Sequence, residues 1–259
     1  MIFEYFFWFR QEQRIEGLGV NILGVILARA GSVGLPGKHL LSLAGRPVIG
    51  HSIGHACEAE LLTHRVISTD CPTCGRLARS HGIELVERPA DLAHGEASVQ
   101  DVLLHAMDQL ENRGGDRFDA VVTIYGNVPL RPAGLIDRAV RMWMETGCDS
   151  VRSFCPVGKW HPQWMSRLDD AGRVEGSTAG VHRRQDLEPL YLHDGGVVVS
   201  GRAAMDMGRA DRGNPHAFFG VDRRGVKTET GEVVEVDHLR DLLLAEAILS
   251  ERRVQRGAA

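Results

Sequence analysis

Two stretches of this 259-residue chain carry side chains suited to holding anions and cations. The first runs Arg29-Ala30-Gly31-Ser32-Val33-Gly34-Leu35-Pro36-Gly37-Lys38. Glycine at every third position lets backbone N–H groups approach a ligand closely, and Arg29 and Lys38 favour an anion such as phosphate. The second is Glu235-Val236-Asp237. On an extended segment these two carboxylates share a face, where they repel one another unless a cation joins them. The first stretch fits neither common nucleotide motif. Ser32 stands at the first glycine of a Walker A loop and His39 at its hydroxyl, and the glycine spacing is not that of a dinucleotide fingerprint. A solvated surface loop after a core strand is the alternative reading.

Lesser candidates have plain alternatives beside them. Asp70 ends a β-like run, where an acid points into a ligand crevice or caps the next helix. Arg88 faces an anion or pairs with Glu87 or Asp91. His193 and Asp194 are adjacent, so on a strand they face opposite ways and make a poor acid–base pair. Cys71-x-x-Cys74 has no second pair at zinc-ribbon spacing, and five cysteines in all suit a reducing compartment.

The elements that must position these residues follow from hydrophobic period. Ile22–Ala28 is apolar or glycine throughout and reads as a strand buried on both faces. Helical spacing over 47–59, 71–81, 99–110 and 135–145 alternates with short β-like runs at 65–68, 83–86, 118–124 and from 149 to 154. Gly82 and Gly147 suit helix ends. This alternation predicts an α/β fold, a mainly parallel doubly wound sheet whose ligand loops gather at the carboxyl ends of the strands. Residues 155–195, with Trp160, His161, Pro162 and Trp164 among charged neighbours, read as an excursion from the sheet. Short strands are expected at 197–200 and 232–236, and a closing helix over 239–249.

A net charge of −4 gives no bulk attraction to nucleic acid. Hydrophobic residues at 43% and charged residues at 25% are ordinary for a soluble globular chain. Residues 1–20 form an aromatic N-terminal extension, too short to span a bilayer and unlike a signal peptide, followed by one domain over 21–254. An oligomer contact or a mis-assigned start codon would account for the extension.

Six blocks, in order, resemble the acylneuraminate cytidylyltransferase family, the CMP–sugar synthetases of acidic 3-deoxy sugars. They are LARAGSVGLPGKHL at 27–40, VISTD at 66–70, VERPADLAHGEAS at 86–98, VPLRP at 128–132, RRQDLEPLYLHDGG at 183–196 and VEVDHLRDLLLAEAIL at 234–249. The resemblance spans roughly residues 22–250. It implies the fold of the nucleotide-diphospho-sugar transferases and transfer of a cytidylyl group from CTP to a 3-deoxy-2-ketoacid sugar of the sialic-acid-like nonulosonate type. Alternatives are an octulosonate-type enzyme or a binding paralogue without turnover.

By the same resemblance Arg29, Lys38 and Asp237 are catalytic. Arg29, Ala30, Gly31, Ser32, Gly34, Lys38, Arg88 and Ser98 bind the nucleotide, and Tyr125, Asn127, Arg184 and Gln185 meet the sugar. Glu235 and Asp237 hold Mg2+. A cytoplasmic homodimer built through residues 155–195 is implied, with CTP and the acidic sugar as partners, no nucleic acid and no membrane span. Four positions depart from the family pattern. Val33 replaces a loop lysine, His39 an asparagine, Tyr125 a glutamine, and Glu235 the first metal aspartate, where a carboxylate is kept.

Overall fold

The computed structural model describes residues 19–31, 34–114, 117–176 and 183–257. The expected N-terminal extension lies, but for residues 19 and 20, outside them. Apolar runs form the centre, beginning with β1 (Ile22–Leu27), which is buried almost throughout. A small hairpin, β2 (Ser42–Leu43) and β3 (Arg46–Pro47), leads into α1 (Val48–Glu58). Then come β4 (His64–Thr69), α2 (Pro72–Arg79), β5 (Glu84–Glu87), α3 (Val99–Glu111), β6 (Ala120–Tyr125) and α4 (Leu135–Thr146). Gly147 ends α4 in the left-handed region at φ 63°, and Gly82 follows α2 at φ 74°, as their positions predict.

The second half adds β7 (Ser150–Pro156), a ribbon of β8 (Arg167–Leu168) and β9 (Val174–Glu175), and β10 (Tyr191–Gly201). The chain then continues through α5 (Arg202–Ala210), β11 (Arg223–Lys227) and α6 (Leu239–Gly257).

Seven strands make one sheet in the order β11-β7-β10-β6-β1-β4-β5. All run one way except β10, which is antiparallel to both β6 and β7. The mainly parallel doubly wound sheet is therefore borne out. One core layer lies between the sheet and α1, α2 and α4, and the other under α3 with Phe218 and Phe219. Successive crossovers go from β1 outward to β4 and β5, then return to β6 on the other side of β1. Strand order reverses there, so the crevice beyond the ends of β1 and β6 is where such sheets bind ligands.

Two expectations need correction. Residues 232–236 form no strand. Among the described residues only an isolated bridge, Leu130 to Val234, forms there, because the chain is held by the loop after β6 rather than by a sheet neighbour. The excursion is shorter than 155–195, since β7 runs to Pro156 and β10 begins at Tyr191, giving a long antiparallel pair at the sheet's margin. Neither β11 nor α5 stood out in the sequence. RRGVK is too charged to read as a strand, although it pairs parallel to β7.

Candidate active site

The loop after β1 is fixed at its root by neighbours from the next strand. The Ala30 N–H donates to Asp70 Oδ1 at 2.7 Å, so Asp70 serves the loop. It does not cap α2, whose N-cap is Cys71 without a side-chain bond. His39 is buried, and its Nδ1 lies 3.2 Å from the Arg29 carbonyl oxygen. Burial, then the Lys38 charge, push its pKa down to about 4, so the ring is neutral at pH 7 and holds the loop without adding charge. Gly37, at φ 65°, turns the chain into a single 3-10 turn over Lys38–Leu40. That turn sends Lys38 Nζ to Asp237 Oδ1 at 2.5 Å, across 199 residues of sequence. Gly34 passes so close that a Cβ there would meet the Asp237 carbonyl oxygen at 2.8 Å.

The opposite wall comes from the loop after β6. The Gly126 N–H donates to the Leu27 carbonyl at 2.9 Å, which locks the two strand ends together. Asn127 is buried, and its Nδ2 donates to Glu235 Oε1 at 3.0 Å and to Asp237 Oδ1 at 3.1 Å. Its carbonyl accepts the Val236 N–H at 2.7 Å. The two acids thus converge without being on a strand. One asparagine holds the segment between them by its backbone and both carboxylates by its side chain. Burial pulls the Asp237 carboxyl upward, but the Lys38 bond and charge, then Asn127, outweigh it and hold the pKa below the usual aspartate value.

Arg88 turns back onto β4, donating to the Ser68 carbonyl at 2.8 Å and to the Ser68 hydroxyl at 3.3 Å. Burial lowers its pKa to about 10, with the Asp70 charge acting against that and Arg29 adding to it, so Arg29, Arg88 and Asp70 form one electrostatic group beside the loop. Tyr125 ends β6 facing the site; burial, then the Glu235 charge, raise its pKa to about 12. Ser98 caps α3, accepting the Asp101 N–H at 3.0 Å and donating to Asp101 Oδ2 at 2.7 Å. Arg184 and Gln185 lie in a short 3-10 turn over Arg184–Asp186, with Gln185 exposed and no hydrogen bond from it to the carboxylate cluster. Gly31 follows Ala30 at the open end of the loop. Ser32 and Val33 lie outside the described residues.

Sequence reasoning missed Arg131. It is fully buried and donates to the carbonyls of Gly196 at 2.6 Å, Tyr125 at 2.9 Å and Val128, and to the Ser52 hydroxyl at 3.2 Å. Burial depresses its pKa to about 9, with Asp194 and Glu235 countering. The signal was the VPLRP block itself, in which the arginine's partners are backbone atoms that no sequence pattern displays. Asp194 takes the hydroxyls of Ser153 and Thr228, while His193 Nδ1 lies 3.0 Å from the Ser153 carbonyl oxygen. The two are therefore separate structural anchors, as adjacent positions on a strand require.

Magnesium, which the family resemblance implies, is tested by the donor set. Glu235 Oε1 and Asp237 Oδ1 both lie within about 3 Å of one Asn127 nitrogen, so two hard oxygen donors converge on one region. Among the described residues no group of three or more His, Cys, Asp or Glu could enclose an ion. Two carboxylates that leave the remaining positions to water and phosphate are what magnesium commonly uses, so the residues fit.

A glycine-rich basic loop at the reversal point of a mostly parallel sheet, facing a carboxylate pair, is the arrangement of a nucleotide-binding α/β protein. The chain belongs to the cytidylyltransferase family, whose model matches residues 23–168. It is 33% identical over 183 residues to an N-acylneuraminate cytidylyltransferase of Streptococcus agalactiae, covering 69% of this chain and 43% of that protein. The chain thus spans less than half the length of that relative. A CMP-N,N'-diacetyllegionaminic acid synthase of Legionella pneumophila is 30% identical over 188 residues, 70% of this chain and 78% of that one. A solved CMP:2-keto-3-deoxy-manno-octonic acid synthetase complexed with CTP shares the fold at TM-score 0.66 and 17% identity, over 90% of this chain and 99% of that one. The resemblance read from six blocks is borne out.

Proposed function

We propose that this chain is a CMP–sugar synthetase, joining CTP to an acidic 3-deoxy-2-ketoacid sugar of the sialic-acid-like nonulosonate class and releasing pyrophosphate. The observation that carries the reading is the meeting of Lys38 with Asp237 while Asn127 holds both Asp237 and Glu235. The phosphate loop and the carboxylate pair are thereby parts of one site. Names of the Streptococcus and Legionella relatives supply the sugar class.

In this reading the anomeric hydroxyl attacks the α-phosphorus of CTP, forming a C–O–P bond as the bond to the β-phosphate oxygen breaks, with the hydroxyl proton passing to water. Arg29 and Lys38 stabilise the charge that gathers on the leaving pyrophosphate. Ala30, Gly31 and Gly34 present the loop backbone to the triphosphate, and Ser32 is assigned to the nucleotide by the family resemblance alone. Arg88 flanks the cytidine end, and Ser98 fixes the start of α3 beside it. Tyr125, Asn127, Arg184 and Gln185 orient the sugar. Glu235 and Asp237 would hold Mg2+, which would neutralise phosphate charge and make a bound hydroxyl more acidic.

Among the described residues no helix is long and apolar enough to cross a membrane. We assign the chain to the cytoplasm as a homodimer with no nucleic-acid partner. Exposed Trp160, Met165 and Leu168 on the excursion support a subunit contact there.

Pyrophosphate release, measured with each of the four NTPs and a panel of ketoacid sugars with and without magnesium, tests the reading. Turnover is expected with CTP, a nonulosonate and magnesium together. Nucleotide binding without release under every sugar would overturn it.

A further inference from the structure

Arg152 belongs to the middle of β7, yet its side chain faces the site. It pairs across β10 with Val198, which opposes Thr123 on β6, two residues before Tyr125. Directly paired residues share a face, and so do residues two apart on a strand, so Arg152 and Tyr125 lie on the same side of the sheet. The guanidinium is held between two rings, with Cζ 4.5 Å from the Phe219 centroid and 5.1 Å from that of Phe154. Its Nε is buried without a hydrogen-bond partner, and no carboxylate among the described residues pairs with it. Burial, then the charge of another cation, Arg223, works against its protonated form. The Arg152 charge also reaches Tyr125 and His193.

A part-buried guanidinium without an anion is a costly thing to build, and a planar two-oxygen acceptor is what its fork completes. The nucleotide-side cations, Arg29, Lys38 and Arg88, lie around the ends of β1 and β4. Arg152 lies beyond β6 and β10, on the acceptor side. A neutral sugar would leave the charge there unbalanced. We propose that Arg152 is a specificity-determining residue, whose guanidinium receives the carboxylate of the acceptor sugar and so selects acidic sugars over neutral ones. This rests on the cytidylyl-transfer reading above.

The test is steady-state pyrophosphate release by the full chain at saturating CTP, with a nonulosonate and its C1 carboxamide as acceptors. The wild type is expected to prefer the carboxylate by about 30-fold or more in kcat/KM, and Arg152→Gln to discriminate less than about threefold. In that variant the sugar KM rises while the KM for CTP stays within about twofold. Discrimination retained in Arg152→Gln, or an unchanged sugar KM, overturns the proposal. If Arg152→Gln loses CTP affinity by calorimetry, and so has not folded, the comparison is read on Arg152→Lys. There, about a fivefold rise in sugar KM alone supports the proposal and no rise overturns it. A wild type that turns over no ketoacid sugar defeats the cytidylyl-transfer reading and this proposal with it. That result differs from an active wild type matched by its Arg152 variant.

Discussion

Lys38 is the residue on which the site's two halves meet, and its side chain is 14% exposed against 50% for Asp237. A pair this open contributes little to stability; in the proposed reaction it would place a cation where phosphate charge develops. Lys38→Ala should lower kcat/KM for CTP by about 10²–10³-fold with a small change in melting temperature. Pyrophosphate release at the wild-type rate would remove the role. Ser98 makes a contrasting case, because its hydroxyl is committed to the α3 cap. Ser98→Ala should cost about 1 kcal/mol of stability, measured by urea unfolding. A KM for CTP that stays within about twofold would mark its part in nucleotide binding as positional. At this scale the sequence was readable where residue type carries the chemistry: Arg29, Lys38, Glu235 and Asp237 are recognisable by charge and spacing. It was silent where one side chain serves several backbone atoms. Arg131 is the case, its guanidinium holding three carbonyls, and the sequence also gives no sign that Asn127 holds both carboxylates.

Elements matter here mainly through where they end. The loop after β6 has little regular structure and takes its shape from Arg131, whose fork ties Tyr125 and Val128 to Gly196 at the β10 bulge. That bulge lies between His193 and Val198, where Asp194 turns inward to the Ser153 and Thr228 hydroxyls. A lysine has neither the planar fork nor enough donors in the right directions. Arg131→Lys should therefore destabilise the fold by about 3 kcal/mol or more, since buried carbonyls lose their partners. The readout is the urea midpoint together with the KM for sugar; a midpoint equal to wild type would show that the loop holds its shape by other means. The sequence displayed the strands and helices bounding this region because burial on both faces leaves long apolar runs. It misrepresented 232–236, where VVEV has the apolar alternation of a strand but is pinned by Asn127 and Leu130 outside the sheet. It hid β11, whose charged edge position removes the apolar signal.

Across the whole molecule, acid should act through two buried histidines. His39 anchors the phosphate loop and His55 lies on α1 beside the Pro129 carbonyl; burial first, then nearby cations, push both pKa values down to about 4. An unfolded chain takes up these protons near the ordinary value of about 6.5, while the folded chain resists until about pH 4. The unfolded state therefore binds more protons across this window, and stability falls as pH drops from about 6.5 toward 4. Above pH 6.5 the two rings are neutral in both states and contribute no slope. Asp237 adds its loss only at lower pH, because its carboxyl is held below the usual aspartate value. Urea midpoints between pH 4 and 7.5 should trace this decline; burial also lowers the pKa values of His105 and His193, which add to the protons that His39 and His55 take up. His39→Asn, which keeps a polar side chain at the Arg29 carbonyl but cannot titrate, should remove about one of them. A profile as steep in the variant as in the wild type would mean that His39 titrates freely, and that the loop carrying Arg29 and Lys38 is not closed over it.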